Sequence, residues 1–391
     1  MSRSGWGLAP ARADGDGMTE YRMCTRCVMD TSDPEITFDE NGVCNHCHTY
    51  DRLVREHVLD GEAGRKKLEQ VVEQIRRDGR GKQYDCVIGV SGGVDSTYVA
   101  YLVKKLGLRP LAIHVDNGWD SELAVKNIEE TLKRLGIDLY TEVLDWEEFK
   151  DLQVSFLKAS TPDSEIPSDH AIFSTLSNMA EKLGIKYMIV GNNIRTETHL
   201  PRAWSQGHFD WKYIREVQKQ FGRRSLKTFP HYGFVTYYRR MITQKRVPIL
   251  DYVNYTKKEA LRVLQEELGW RYYGGKHYES IYTRFYQGYI LPEKFGYDKR
   301  RCHVSSLICS GEMTREQALE EIKSPTYAPS MQEEDREYVV KKLGLTDDEF
   351  TAIINAPKKS YWDYPSYGQF MRQPFMLKLV PFAKKVVSWF K

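Results

Sequence analysis

The stretch richest in chemistry is Ser91-Gly92-Gly93-Val94-Asp95-Ser96. Two adjacent glycines let the main chain turn tightly with no Cβ in the way, and a helix opening directly after them presents unpaired N–H groups and a positive dipole end. Such a turn is an anion site, and phosphate is the anion it suits. A Walker A loop follows its last glycine with lysine, whereas this one closes with Asp95 and Ser96, so γ-phosphate transfer is not its natural chemistry. A second constellation is Cys24-Thr-Arg-Cys27 with Cys44-Asn-His-Cys47. Two CxxC knuckles at this spacing fit a four-thiolate zinc ribbon, and four cysteines close the coordination shell, so the Zn²⁺ is structural rather than catalytic. His46 and His48 could substitute for a cysteine, but read better as surface or supporting groups. The intervening segment reads as a short hairpin turning at Asn41-Gly42.

Elements that would position these groups follow from the hydrophobic pattern. Asp85 to Val90 is the short apolar run of a buried parallel strand, and Thr97 to Leu106 carries apolar residues at helical spacing. Pro110 to Val115 is a second strand, ending in Asp116-Asn117-Gly118-Trp119. A helix from Ser121 to Leu135, a third strand from Asp138 to Leu144 and a fourth from Tyr187 to Val190 continue the alternation. The fold class is therefore α/β, a doubly wound parallel sheet. Ligands of such sheets bind at the carboxyl ends of strands, which puts Asp116 and Asn117 where the ligand of the anion loop would lie, while the fourth strand ends in Gly191-Asn192-Asn193. Ser168-Asp169-His170 opens the helix before the fourth strand, as a cap or as a ligand contact.

The remainder is less regular. Between Ile194 and Arg246 basic residues outnumber acidic ones, with Trp204, Trp211, Tyr213, Tyr232, Tyr237 and Tyr238 among them. This suits a phosphorylated ligand carrying a ring, a nucleotide-sugar or RNA; the alternative is a solvated basic face over buried aromatics. Trp270 to Gln287 sets many polar groups on an aromatic background and is a second candidate for the substrate side. Cys302 and Cys309 lack a CxxC and read as core thiols. Across 391 residues, 57 Lys and Arg stand against 54 Asp and Glu, so net charge argues neither for nor against nucleic acid. No stretch approaches the length of a membrane span. Seven cysteines without an export signal imply a reducing, cytoplasmic setting. The expected organisation is a disordered leader (1–20), a zinc ribbon (21–60), a nucleotide domain (61–250) and a mainly helical C-terminal substrate or partner region (251–391). The aromatic, basic tail from Tyr361 either docks on the body or makes a peripheral contact with an anionic membrane surface.

SGGVDS resembles the pyrophosphate loop (PP-loop) of the N-type ATP pyrophosphatases, which split ATP between its α and β phosphates. With CTRCVMDTSDPEITFDENGVCNHC, HVDNGW, VGNN followed by Glu197, GGKHYES, TRFYQGYILPEKFG and SSLICSGEMTREQAL, the chain from Tyr21 to Tyr327 resembles the N-acetyl sugar amidotransferases of surface-polysaccharide (lipopolysaccharide O-antigen) assembly. That resemblance implies an ATP-dependent, AMP- and diphosphate-forming carbon–nitrogen ligase. It would adenylate the amide oxygen of a nucleotide-activated N-acetyl sugar and displace AMP with ammonia, leaving an acetamidino sugar. It further implies that Ser91, Gly92, Gly93, Asp95 and Ser96 hold ATP phosphates and Mg²⁺, and that Asp116 and Gly191 to Asn193 border the nucleotide. Glu197 would bind Mg²⁺ or take a proton from ammonia. Lys276, His277, Glu279 and Arg284 would bind sugar or meet transition-state charge, Lys276 and Arg284 on the catalytic side. Ser2 in place of a terminal cysteine nucleophile, and no Gly-x-Cys-x-Gly elbow, imply ammonia from a separate glutaminase, with no nucleic-acid partner. The competing readings are a PP-loop tRNA-modifying enzyme, a thiolase or lysidine synthetase, and a nucleotide-sensing zinc adaptor.

Overall fold

The structure, a computed structural model, describes residues 20–275 and 278–373. Five short strands, β1 (Cys86–Gly89), β2 (Pro110–Asp116), β3 (Asp138–Val143), β4 (Tyr187–Val190) and β5 (Lys245–Pro248), form one sheet in the order β3-β2-β1-β4-β5. Every pairing is parallel. Alternation along β1 gives the sheet two buried faces. Cys86 and Ile88 enter one core with Val99, Val103, Ala112 and Leu264, and Val87 enters the other with Ile113, Leu176 and Met188. Helices Gly61–Asp78, Val94–Lys105 and Lys257–Leu268 cover the first face, and Ile166–Lys182 covers the second.

The expected doubly wound parallel sheet is the one found. From β1 the chain runs outward through β2 to β3, then returns to β4 on the opposite side of β1. The order thus reverses beside β1, and the crevice at its carboxyl end is where such sheets bind ligands. Helix Lys257–Leu268 shares the sheet's core, so the packed unit runs past residue 250.

A separate, mainly helical core joins Phe149, Phe156, Tyr213, Phe285, Val339 and Phe350, and takes in Tyr361 and Tyr364. The described start of the tail therefore docks on the body, with the Tyr361 hydroxyl 2.5 Å from Asp210 Oδ2. Beyond residue 373 the tail lies outside the described residues, as do residues 1–19 of the leader. At the N-terminal end the hairpin shrinks to two isolated bridges, Met23 with Asp30 and Phe38 with Cys44. Asp39 accepts from the Asn41 and Val43 amides, and Gly42 at φ +77° completes the turn. The ribbon rests on helix Arg300–Ser310, where the Val28 amide donates to Ser305 Oγ at 3.2 Å, and on the next helix, Arg315–Lys323, whose Arg315 donates to the Cys24 and Cys27 carbonyls.

Candidate functional site

The turn after β1 is held open by its own side chains. Ser91 and Ser96 place their hydroxyls 3.2 Å apart, the Gly93 amide donates to Ser91 Oγ, and Ser96 and Thr97 donate to the Gly93 carbonyl. Gly93 precedes helix Val94–Lys105 and has no side chain with which to cap it, and Gly93, Val94, Asp95 and Ser96 line the pocket there. Gly92 stands at φ +77°, and a Cβ there would come within 2.8 Å of the Ala124 carbonyl oxygen. At Gly191 a Cβ would approach the Asp95–Ser96 peptide to 3.2–3.3 Å, which is why the end of β4 can lie against the loop. The cradle and donors fit a polyphosphate, and Asp95 is the carboxylate that would hold its Mg²⁺. Asp95 also accepts from Tyr255. Burial, then the Asp95 charge, pushes that phenol above its usual range, so it remains a donor.

Around the loop lies a pocket of about 220 Å³ lined by Ser91, Asp95, Ser96, Gly191, Asn192 and Glu197, and it shares Ser91, Ser96 and Glu197 with a cavity of about 930 Å³. Asn192 donates to Glu197 at 3.1 Å, holding that carboxylate at the junction. Glu279 is placed against the loop, its Oε1 3.2 Å from where a Cβ on Gly93 would stand. Deeper in the larger cavity lies a charge cluster that sequence reasoning did not assemble. His208 Nε2 is 3.2 Å from Asp163 and 3.3 Å from Asp169, while Glu165 receives Gln287 at 2.8 Å and Lys299 at 3.2 Å. Burial alone would raise the Asp163 pKa, yet Lys299 and His208 outweigh it and hold it at about 2. Asp169 is pushed up to about 6 by desolvation and by Asp163 and Glu165, against the pull of His208. Burial opposes protonation of His208, but the two aspartates raise it above the usual imidazole range. The only sequence signal was the acid-rich TPDSEIPSDH, since His208 and Lys299 reach it from distant segments.

Other expected site residues fall differently. Asp116 Oδ1 accepts from the Gly118 amide, and Asn117 and Asp120 line the cavity there instead. Asn193 spends its carboxamide oxygen on the Thr196 amide, capping the short helix Ile194–Glu197. Arg284 lines the cavity but is locked to Asp335 by two bonds of 2.6 and 2.7 Å, so its charge is largely answered within the protein. Ser168 and Asp169 do not cap their helix; Ser168 accepts from Asn117 Nδ2. His170 is buried, stacks on Trp211 and Phe229, and burial lowers its pKa to about 4. Trp204, Tyr213, Tyr232 and Tyr237 are core residues, as the solvated-face reading expects. Lys276 and His277 lie outside the described residues.

Cys24, Cys27, Cys44 and Cys47 are buried with sulfur atoms within 4.8 Å of one another. Sulfur separations of 3.7–3.9 Å match the edge of a tetrahedron around zinc with Zn–S of about 2.3 Å, so the residues present fit the ion. His46 and His48 turn away to Asp33 and Asp39.

The chain is 24% identical over 320 residues to an uncharacterized protein of Methanocaldococcus jannaschii, covering 80% of this chain and 96% of that one. It is 28% identical over 202 residues to a tRNA-specific 2-thiouridylase of a Thermoanaerobacter species, and spans 50% of that enzyme's length. Over 74 residues it is 40% identical to a glutamine-hydrolyzing GMP synthase of Pyrobaculum aerophilum, 14% of that protein. An NH3-dependent NAD synthetase from Campylobacter jejuni aligns over 76% of this chain and 98% of its own at 14% identity, with a TM-score of 0.31, too low to carry an argument. In sequence the chain is thus similar to homologues in the PP-loop ATP pyrophosphatase superfamily. More particularly, residues 279–377 match the family described as LPS biosynthesis protein WbpG-like, C-terminal domain. Among the described residues no helix is long and apolar enough to cross a membrane.

Proposed function

We propose that the chain is a cytoplasmic ATP-dependent amidotransferase that turns the acetamido group of a nucleotide-activated sugar into an acetamidino group for lipopolysaccharide assembly. One observation carries the reading. The cavity that meets the phosphate loop is lined also by Glu279, Arg284, Gln287 and Lys299, all within the segment that matches lipopolysaccharide-biosynthesis proteins. An amide oxygen is a very poor leaving group. Transfer of AMP to it creates an imidate whose leaving group is a phosphate monoester, and ammonia then displaces that group.

In this account Ser91, Gly92, Gly93 and Ser96 hold the outer two phosphates, and Asp95, with Glu197 at the junction, holds the Mg²⁺ that offsets their charge. Gly191 and Asn192 border the nucleotide, and Asp116 and Asn193 support its loops. Ammonia reaches the cavity from a separate glutaminase. Ammonium entering there meets the carboxylates of Asp163, Glu165 and Asp169, and Asp169, or Glu197 where it does not hold the Mg²⁺, takes its proton. The ribbon (21–60) and the C-terminal region frame the nucleotide domain, which starts at 61 and takes in helix Lys257–Leu268, with structural zinc in the ribbon. The test incubates the protein with ATP, Mg²⁺, ammonium and a panel of nucleotide-activated N-acetyl sugars. AMP, diphosphate and a product carrying NH in place of O support the reading, and ADP formation excludes it.

The similarity to thiouridylases favours a second reading, tRNA modification. It predicts tRNA binding whose affinity falls steeply as salt rises. Against it, Cys86, beside the loop, is buried in β1 with its thiol pushed above the ordinary range by burial, a poor sulfur carrier.

A further inference from the structure

Cys309, expected to be a core thiol, stands 3.8 Å from Cys47 Sγ and 3.7 Å from His199 Nε2, and His199 Nε2 is 3.9 Å from Cys47 Sγ. Around a tetrahedral zinc with Zn–S of about 2.3 Å and Zn–N of about 2.0 Å, neighbouring ligand atoms stand roughly 3.5–3.8 Å apart. The three atoms therefore mark one face of a second coordination tetrahedron, and Cys47 is a corner of both.

The histidine is set up for this. Ser306 Oγ donates its one proton to the Cys302 carbonyl at 3.1 Å, so at 2.9 Å it accepts from His199 Nδ1–H. That bond fixes the tautomer and leaves the Nε2 lone pair aimed between two sulfur atoms. Cys47, as a zinc-bound thiolate, has no proton to offer it. Cys309 has one thiol proton, which can serve His199 or Cys47 but not both, whereas a cation between the three atoms serves all of them, and both His199 and Cys47 are fully buried.

We propose that Cys47, His199 and Cys309 hold a second divalent ion of zinc-like preference, with the Cys47 sulfur bridging it to the ribbon's own. Three protein ligands leave its fourth position for water or for a group from the large cavity, which His199 lines. The ligands come from the ribbon, from the segment just after Glu197 and from helix Arg300–Ser310. The ion thereby ties the ribbon to the short helix Ile194–Glu197 and to the C-terminal region. The site is independent of which reaction the cavity performs.

The test is metal content of the full chain purified with Zn²⁺, or reconstituted with Co²⁺, by elemental analysis. Two ions per chain are expected in the wild type. C309S and H199A should each fall to one while keeping wild-type circular dichroism, and C302S, altering a neighbouring thiol outside the set, should keep two. One ion in the unaltered protein overturns the proposal whatever the variants do. So would two ions retained in both C309S and H199A, or a Cys47–Cys309 disulfide found by peptide mass spectrometry in protein kept under reductant.

Discussion

Replacing Gly92 by alanine tests whether the turn after β1 must have this shape. At φ +77° any L-residue with a side chain incurs about 1–2 kcal/mol of left-handed strain. The added methyl would also stand 2.8 Å from the Ala124 carbonyl oxygen and 3.1 Å from Ala124 Cα, main-chain atoms of a packed helix that cannot swing aside. Relieving that overlap moves the turn, at a further cost of about 1–3 kcal/mol. Gly81 supplies the control. It has nearly the same backbone angle, φ +75°, but nothing within 4 Å of a Cβ. G81A should therefore lose only the strain of about 1–2 kcal/mol and keep full activity. G92A should lose more stability than G81A, and because misplacing a substrate by an ångström costs about 100-fold, its kcat/KM for ATP should drop by about that factor. Thermal melts and diphosphate release measure both. Wild-type diphosphate release by G92A, or equal destabilisation of the two variants, would refute the reasoning.

Three more outcomes follow from the geometry. Asp335→Ala strands the largely buried Arg284 guanidinium and should cost about 3–5 kcal/mol in denaturant unfolding, much of it regained in R284M/D335L; little loss in the single variant contradicts the pairing. His208 has a pKa raised by Asp163 and Asp169, so its stabilisation is complete below the unfolded imidazole value of about 6.5 and is lost as pH rises through the folded one. The stability difference between wild type and H208Q should thus shrink as pH climbs above 6.5, and a difference that grows would reverse the assignment. Cys44→Ser should release the ribbon's zinc and expose helix Arg300–Ser310 to limited proteolysis, whereas an unchanged cleavage pattern would mean that the ribbon holds its shape without the ion.

The sheet was legible where burial on both faces leaves an unbroken apolar run, as in β1, β2 and β4. β5 was not, because Lys245-Arg246-Val247-Pro248 is a short edge strand with one buried side chain and carries no periodic signal. Tyr286–Phe295 forms a π-helix around Pro292, a residue that in sequence reads as a break. The loop glycines and the CxxC pairs could be recognised because their function depends on local spacing. Glu279 and Arg284 could be recognised as polar and confined, but their partners, the loop at Gly93 and Asp335, are set by tertiary packing. The same holds for His208 and Lys299, and for His199 with Cys309, whose meaning appears only when distant segments meet.

The most direct measurement follows the oxygen. An N-acetyl sugar nucleotide carrying heavy oxygen in its acetamido group, turned over with ATP and ammonium, should pass that atom to the AMP and to nothing else, with the sugar emerging as the acetamidino product. AMP free of the label, or label in diphosphate or orthophosphate, would contradict attack of the amide oxygen on the α-phosphate.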